Sequence, residues 1–280
     1  MVDPAATLEV DIETTTVCNA ACVWCPYPKY AGWRAGRFMD VGLFKKIVDE
    51  LATIPQVREL RLNGLGEPLL DRFLDSRYEY ISSKVGRFIS TLTTNGVYLI
   101  PKRVDSLVTA GVKRFIISLN AATQEQHEAT MGLKGKFETV CTNIQHCIDR
   151  GLDVEIRAVV NDDLFPMSEG AKLIKRWGYK RYGGHVKLIR ELNWAGENRT
   201  IRTFDPDSCC VRAVGNIFIR WDGVVTTCCV DPLGNGYQFG DLRTQTIREV
   251  YNSEAYTNFR KQHSLNKAAQ FPICRDCTRG

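Results

Sequence analysis

The chain has 280 residues, a formal net charge of +5, 44% hydrophobic residues and 25% charged residues. This is the composition of an ordinary globular protein, long enough for one large domain and a small one. Charge this mild and dispersed specifies no nucleic acid partner. No window reaches the ~18 apolar residues of a membrane span, and Met1-Val2-Asp3-Pro4 opens no secretory leader. A cytoplasmic protein without a membrane partner is expected.

In chain order, residues 8–13 alternate apolar with acidic side chains and read as a strand. A loop bearing cysteines follows. Residues 41–51 carry Leu43, Ile47, Val48 and Leu51 at helical spacing, and the strand at 57–62 runs into Asn63-Gly64-Leu65-Gly66-Glu67-Pro68. A strand and turn are expected at 87–96, then strands at 114–119, 154–160 and 185–192, with helices at 104–110, 137–149 and 168–177. Such alternation builds a parallel α/β sheet, and six repeats fall short of the eight that close a barrel. Between 194 and 207, Gly196, Asn198, Pro206 and several charges read as a linker. Residues 216–227 look like a hairpin turning at Asp222-Gly223, and 246–260 read as one helix. The expected domains are 1–200 and 201–280.

The eleven cysteines exceed what packing needs. Cys18, Cys22 and Cys25 stand in C-x3-C-x2-C spacing just after the first strand, where a β/α barrel carries its active site. Three thiols cannot all pair as disulfides and are one short of a closed zinc site. They suit a cubane cluster with one iron free of protein ligands, where a small molecule can bind and be activated. Further on, Cys210 and Cys228 bracket the hairpin, and Cys274-Arg275-Asp276-Cys277 is a C-x2-C. Together they make a four-thiolate site for zinc or for a fully ligated 4Fe–4S cluster. Cys141 and Cys147 fall on a helical stretch and read as buried small hydrophobes.

The first cysteine segment resembles the signature of the radical S-adenosylmethionine (SAM) enzymes. The run from Cys210 through Ile219-Arg220-Trp221-Asp222-Gly223-Val224, Cys228-Cys229, Phe239-Gly240-Asp241-Leu242 and Cys274-x2-Cys277 resembles their SPASM/twitch extension. The resemblance covers essentially the whole chain. It implies a partial (β/α)6 TIM-like barrel, then a small α+β twitch domain with a β-hairpin and a helix. It implies two 4Fe–4S clusters: one on Cys18, Cys22 and Cys25 whose open iron chelates SAM, and one auxiliary cluster on Cys210, Cys228, Cys274 and Cys277. Gly64-Leu65-Gly66-Glu67-Pro68 is similar to the family's GGEP loop, with leucine for the first glycine. The resemblance gives the Gly66 backbone and Glu67 the methionine ammonium, a charge-assisted contact. It gives Thr93, Asn95, Ser118 and Asn120 the ribose hydroxyls and the carboxylate, which Arg157 also suits. Val159 and Asn161 would flank the adenine, and Trp24, helped by Tyr27, would cover it.

That family cleaves SAM reductively to a 5′-deoxyadenosyl radical, which abstracts a substrate hydrogen. With one auxiliary cluster as electron acceptor, the expected reaction oxidises an alcohol to a ketone on a small polar molecule, a sugar or aminocyclitol. Glu191, Asp231 and His185 are the candidate bases near the barrel mouth. Radical epimerisation is an alternative, with Cys209 or Cys229 returning a hydrogen atom. Peptide modification is another, which the few residues ahead of the first strand disfavour. A non-enzymatic electron-transfer or binding protein is the remaining class, and the SAM-pocket pattern opposes it. Lys29, Tyr30, Trp33, Arg34 and Arg37 in the cysteine loop hint at an anionic or polar substrate and fit a solvated loop equally well. The reductant implied is a flavodoxin or ferredoxin.

Overall fold

The computed structural model describes residues 7–34, 36–84, 86–194, 210–231, 233–234, 236–275 and 277, with 31–34 as backbone alone. Six strands lie side by side in chain order, all parallel: β1 (Leu8–Ile12), β2 (Val57–Leu62), β3 (Ile89–Thr94), β4 (Arg114–Ser118), β5 (Asp153–Val160) and β6 (Val186–Arg190). The crossovers carry α1 (Tyr27–Arg34), α2 (Val41–Ala52), α3 (Leu74–Ser82), α4 (Pro101–Ala110), α5 (Gln124–Met131), α6 (Phe137–Asp149) and α7 (Met167–Trp177). This is the expected partial barrel. Helices α1, α3 and α5 are not among the elements expected from the sequence. The buried face of α5 is His127, Thr130 and Met131, so it shows no apolar stripe.

A parallel sheet covered on both faces normally reads as continuous apolar runs. Here the strands alternate, because only the outer face packs against helices. Val10, Ile12, Leu60, Leu62, Leu92, Ile117 and Ile156 have no exposed surface and share one core with Phe44, Val48, Leu107, Val140 and Ile144 of the helices. The concave face carries the intervening polar residues. Its key is Asp11, 1% exposed. Asp11 Oδ1 accepts from Arg61 Nε (2.7 Å) and Asn63 Nδ2 (2.6 Å), and Oδ2 accepts from Asn216 Nδ2 (2.9 Å). Burial alone would lower the Arg61 guanidinium, but Asp11, Glu9 and Glu59 outweigh it and hold Arg61 above its ordinary value.

The C-terminal part extends the same sheet. After the short helix α8 (Val211–Gly215), β7 (Asn216–Ile219) runs parallel beside β1. Then β8 (Val224–Thr226) and β9 (Gln238–Asp241) add antiparallel at the edge, giving the order β6-β5-β4-β3-β2-β1-β7-β8-β9. The hairpin turns as expected at Asp222-Gly223, where Gly223 has φ +86°. The helix expected over 246–260 is in fact two, α9 (Ile247–Tyr251) and α10 (Glu254–Ser264). Asn252 closes the first, and the Ser253 side chain accepts from Tyr256 N to start the second, a preferred N-cap use of serine. A last short helix, α11 (Pro272–Arg275), carries Cys274. The linker between 194 and 207, except Trp194, and the expected domain division lie outside the described residues. Lys46 and Glu50 of α2 fasten the C-terminal part, Lys46 Nζ donating to Leu242 O (2.6 Å) and Gln245 O (2.7 Å), and Glu50 accepting from Ile247 N (2.6 Å).

Asp11→Ala removes the acceptor that Arg61, Asn63 and Asn216 share, leaving Arg61 its ion pair with Glu9 and Asn216 its bond to Glu9 O. Breaking a buried pair of this kind is expected to destabilise the fold by about 3–5 kcal/mol, read as a lower denaturant midpoint at unchanged slope. A loss below ~1 kcal/mol would show that the network is dispensable.

Candidate active site and a second thiol cavity

The strands deliver their C-terminal ends to one cavity. Cys18, Cys22 and Cys25 line it from the loop after β1, with Trp24 among them. Two β-like bonds hold that loop to α5: Ala21 N donates to Met131 O and Val23 N to Thr130 O, both at 3.0 Å. The Cys18 N–H donates to Tyr27 Oη (3.1 Å), and the thiol sulfurs of Cys18 and Cys25 accept from Ala20 N and Tyr27 N (3.4 Å each). Burial pushes the Cys18 thiol up to about 11. Burial, with Cys25 and Cys18 beside it, pushes Cys22 higher still. Such thiols stay protonated until a metal compensates the charge, so loading releases protons. Among the described residues no three His, Cys, Asp or Glu side chains close on one point as they would around a single ion. A cubane asks for something else, one thiolate at each of three corners.

Opposite the thiols runs the glycine strap. Gly66 is irreplaceable on steric grounds, since a Cβ there would sit 2.1 Å from Thr15 O, and at Gly64 it would sit 2.5 Å from Glu13 Cγ. Leu65, in the position the family gives to glycine, is buried against Tyr27, Leu233 and the cysteines Cys18 and Cys25. Glu67 is 3% exposed; Thr94 Oγ1 (2.7 Å) and Leu69 N (3.0 Å) donate to its Oε1, and Asn95 N (2.8 Å) to its Oε2. Those contacts use three of a carboxylate's four acceptor positions. Burial still pushes the Glu67 carboxyl up, and among the described residues no cation acts on it. A buried anion with a vacant acceptor position beside three thiols fits the ammonium of SAM.

Gly66, Glu67, Thr93, Asn95, Ser118, Asn120 and Val159 all line this cavity. Two of them also brace it. Asn95 Nδ2 donates to Asn19 Oδ1 (2.8 Å) of the cysteine loop, and Asn120 Oδ1 accepts from Val159 N (2.8 Å). Neither Asn19 nor Met131, another lining residue, stood out in the sequence; both are ordinary loop or helix-end residues until the tertiary fold is known.

Arg157 is elsewhere. It precedes Val159 by two residues on β5, which sets it one layer deeper, where it lines an adjoining chamber and both Nε and Nη2 donate to Glu155 Oε1 (2.9 and 2.5 Å). That chamber shares Asn63, Gly64, Thr93, Val159, Leu192 and Trp194 with the thiol cavity. Its other walls include Asp11, Arg61, Arg212 and Cys229. None of the three candidate bases lines the cavity or the chamber. His185 precedes β6 and bonds Val154 O through Nδ1 (3.2 Å), at the end of the sheet away from the mouth. Glu191 follows β6 and accepts from Asn161 Nδ2. Asp231 is buried and accepts from Thr227 Oγ1 (3.0 Å) and Gly236 N (3.1 Å) in a different cavity. Lys29, Tyr30 and Arg37 also lie off the lining, and the side chains of Trp33 and Arg34 lie outside the described residues.

The different cavity is the second thiol site. Cys210, Cys228, Cys274 and Cys277 line it together, with Asp231 and His263. Burial pushes the Cys228 thiol well up, helped by Cys229, Cys210 and Cys277; Cys274 rises in the same way, with Cys210, Cys277 and Asp231 acting on it after burial. The adjacent cysteines of the hairpin end diverge: Cys228 enters this cavity, whereas Cys229 lines the chamber and its Sγ accepts from Arg212 Nη1 at 2.9 Å. Cys209 lies outside the described residues. Cys141 and Cys147 are buried in the core on α6.

Comparison with known proteins agrees with this layout. The family model described as Radical SAM superfamily matches residues 12–166, and that described as iron-sulfur cluster-binding domain, SPASM, matches 209–278. The chain is 21% identical to the S-adenosyl-L-methionine-dependent 2-deoxy-scyllo-inosamine dehydrogenase of Niallia circulans, over 96% of this chain and 91% of that one. Its fold is similar to the crystal structure of BtrN in complex with AdoMet and 2-DOIA (TM-score 0.67, 21% identity, 97% and 92% of the chains). It is also similar to Streptococcus suis SuiB bound to the precursor peptide SuiA (TM-score 0.71, 14% identity, 97% and 71%).

Glu67→Gln keeps the shape of the strap and removes its charge. Equilibrium binding to the iron-loaded protein is expected to show SAM affinity weakened on the order of tenfold or more. Unchanged affinity would remove Glu67 from the ammonium site.

Proposed function

As this chain belongs to the radical SAM superfamily and carries the iron–sulfur cluster-binding extension, we propose that it oxidises an alcohol to a ketone on a small polar molecule. SAM bound at an open iron supplies, on one-electron reduction, a 5′-deoxyadenosyl radical that accepts a hydrogen atom from carbon, and an auxiliary cluster supplies a site for the second electron. Cys18, Cys22 and Cys25 hold the first cluster in this proposal, and Cys210, Cys228, Cys274 and Cys277 the second. Gly66, Glu67, Thr93, Asn95, Ser118, Asn120, Val159 and Trp24 surround SAM.

One observation carries the choice of oxidation. The segment Cys228-Cys229-Val230 is the wall between the chamber and the second thiol cavity: Cys228 lines one side, Cys229 and Val230 the other. A substrate carbon in the chamber would have an electron acceptor across that wall. The chamber's lining of Asp11, Arg61, Asn63, Arg157 and Arg212 supports a polar substrate rich in hydrogen-bonding groups. Thr93, Asn63 and Gly64 belong to both spaces, which brings such a substrate against the bound SAM.

A redox-neutral second reading has its own observation. Cys229 lines the chamber, and a thiol there can return a hydrogen atom to a carbon radical, giving an epimer. The reductant is a flavodoxin or ferredoxin, and the compartment a reducing cytoplasm where thiolate-bound clusters persist. No helix among the described residues is long and apolar enough to cross a membrane.

The test offers polyols, sugars and aminocyclitols to the iron-loaded protein with SAM and dithionite. Ketone is expected to form in step with 5′-deoxyadenosine, to vanish in Cys228→Ala while SAM cleavage persists, and to survive Cys229→Ala. An epimer carrying solvent deuterium, lost in Cys229→Ala, would replace oxidation with the second reading.

A further inference from the structure

Helix α10 buries Tyr256, Phe259, Arg260 and His263 on one stripe. At the last of these positions packing alone would be served by an apolar residue. His263 has no exposed surface, and among the described residues neither Nδ1 nor Nε2 has a hydrogen-bond partner. This sets it apart from His127 and His185, whose Nδ1 atoms each bond a backbone carbonyl. A buried polar group without a partner is costly and calls for an explanation. Aromatic rings fix the imidazole: Phe271 is stacked on it at 5.4 Å and 8°, and Phe259 is tilted at 4.4 Å and 56°. The residue so packed lines the cavity of Cys210, Cys228, Cys274 and Cys277.

A neutral imidazole carries one N–H donor. The acceptors lining the cavity are the cysteine sulfurs and the Asp231 carboxylate, which already accepts from Thr227 and Gly236. We propose that His263 donates its ring N–H to a sulfur of the cluster held by these four cysteines, and thereby raises that cluster's reduction potential. The proposal rests on the assignment of a cluster to this cavity. An N–H dipole aimed at sulfur favours the more negative, reduced state, and hydrogen bonds to the sulfurs are one of the levers on cluster potential. His263 is then a tuning residue that makes the auxiliary cluster a better electron acceptor.

The experiment is an anaerobic redox titration of the holoenzyme, followed by electron paramagnetic resonance, with iron counted in each sample. The N-terminal cluster, whose signal changes on adding SAM, is the internal reference. In His263→Phe the auxiliary midpoint is expected to move to a more negative value while the reference stays fixed; His263→Gln, which keeps an N–H donor, is expected to fall between. Electron–nuclear double resonance on the wild-type holoenzyme labelled with 15N only in the histidine rings should show a histidine nitrogen coupled to the auxiliary cluster, a signal that backbone N–H groups do not give. That measurement decides the matter even if His263→Phe fails to load iron. An unmoved midpoint at full iron content, or no coupled histidine nitrogen, would overturn the proposal alone. Absence of iron from the C-terminal cysteines of the wild type would overturn the cluster assignment and the proposal with it.

Discussion

The Asp11 carboxylate is the constraint on which the rest depends. It is buried on the concave face of a parallel sheet, a place that barrels normally fill with branched apolar side chains. Three groups make its charge tolerable there: Arg61 on β2, Asn63 in the loop beyond β2, and Asn216 on β7. Each bond also fixes geometry. Arg61 lets a charged layer replace an apolar plug, which leaves a chamber. Asn63 sets the start of the glycine strap. Asn216 locks β7 parallel to β1, although more than two hundred residues separate Asp11 from Asn216.

That last link decides the functional layout. With β7 held beside β1, the hairpin end passes along the chamber wall, and the turn that follows β8 puts Cys228 on one side and Cys229 on the other. Both thiol sets share an electrostatic character. Their cysteines are buried enough that burial raises Cys18, Cys22, Cys228 and Cys274 above the ordinary thiol range. Without metal these four thiols stay protonated; with it they become thiolates whose charge the cluster compensates.

Much of this was legible in the sequence, for definite reasons. The six parallel strands showed because one face of each is apolar, and the cysteine sets showed because their spacing is local. The GGEP-like strap was visible as glycines, though only the structure shows why Gly66 admits no side chain. Long-range choices were not legible. Nothing local says that β7 pairs with β1, that Asn19 braces Asn95, or that Arg157 lies a layer below the SAM cavity. The break at Asn252-Ser253 was hidden because the helical pattern continues across it and a single serine cap interrupts it. Glu191, Asp231 and His185 read as bases near the barrel mouth, but a strand has two ends, and His185 lies at the one away from it. His263 drew no attention because its peculiarity, two nitrogens unpartnered among the described residues and inside an aromatic cage, exists only in three dimensions.

Iron and sulfide per chain after anaerobic reconstitution, in the wild type and in a Cys18/Cys22/Cys25→Ala variant, test the two-cluster arrangement most directly. Two 4Fe–4S sites predict about eight irons falling to about four in the variant. About four irons falling to none would contradict it, leaving the C-terminal thiols without a cluster and the chamber without an electron acceptor across its wall.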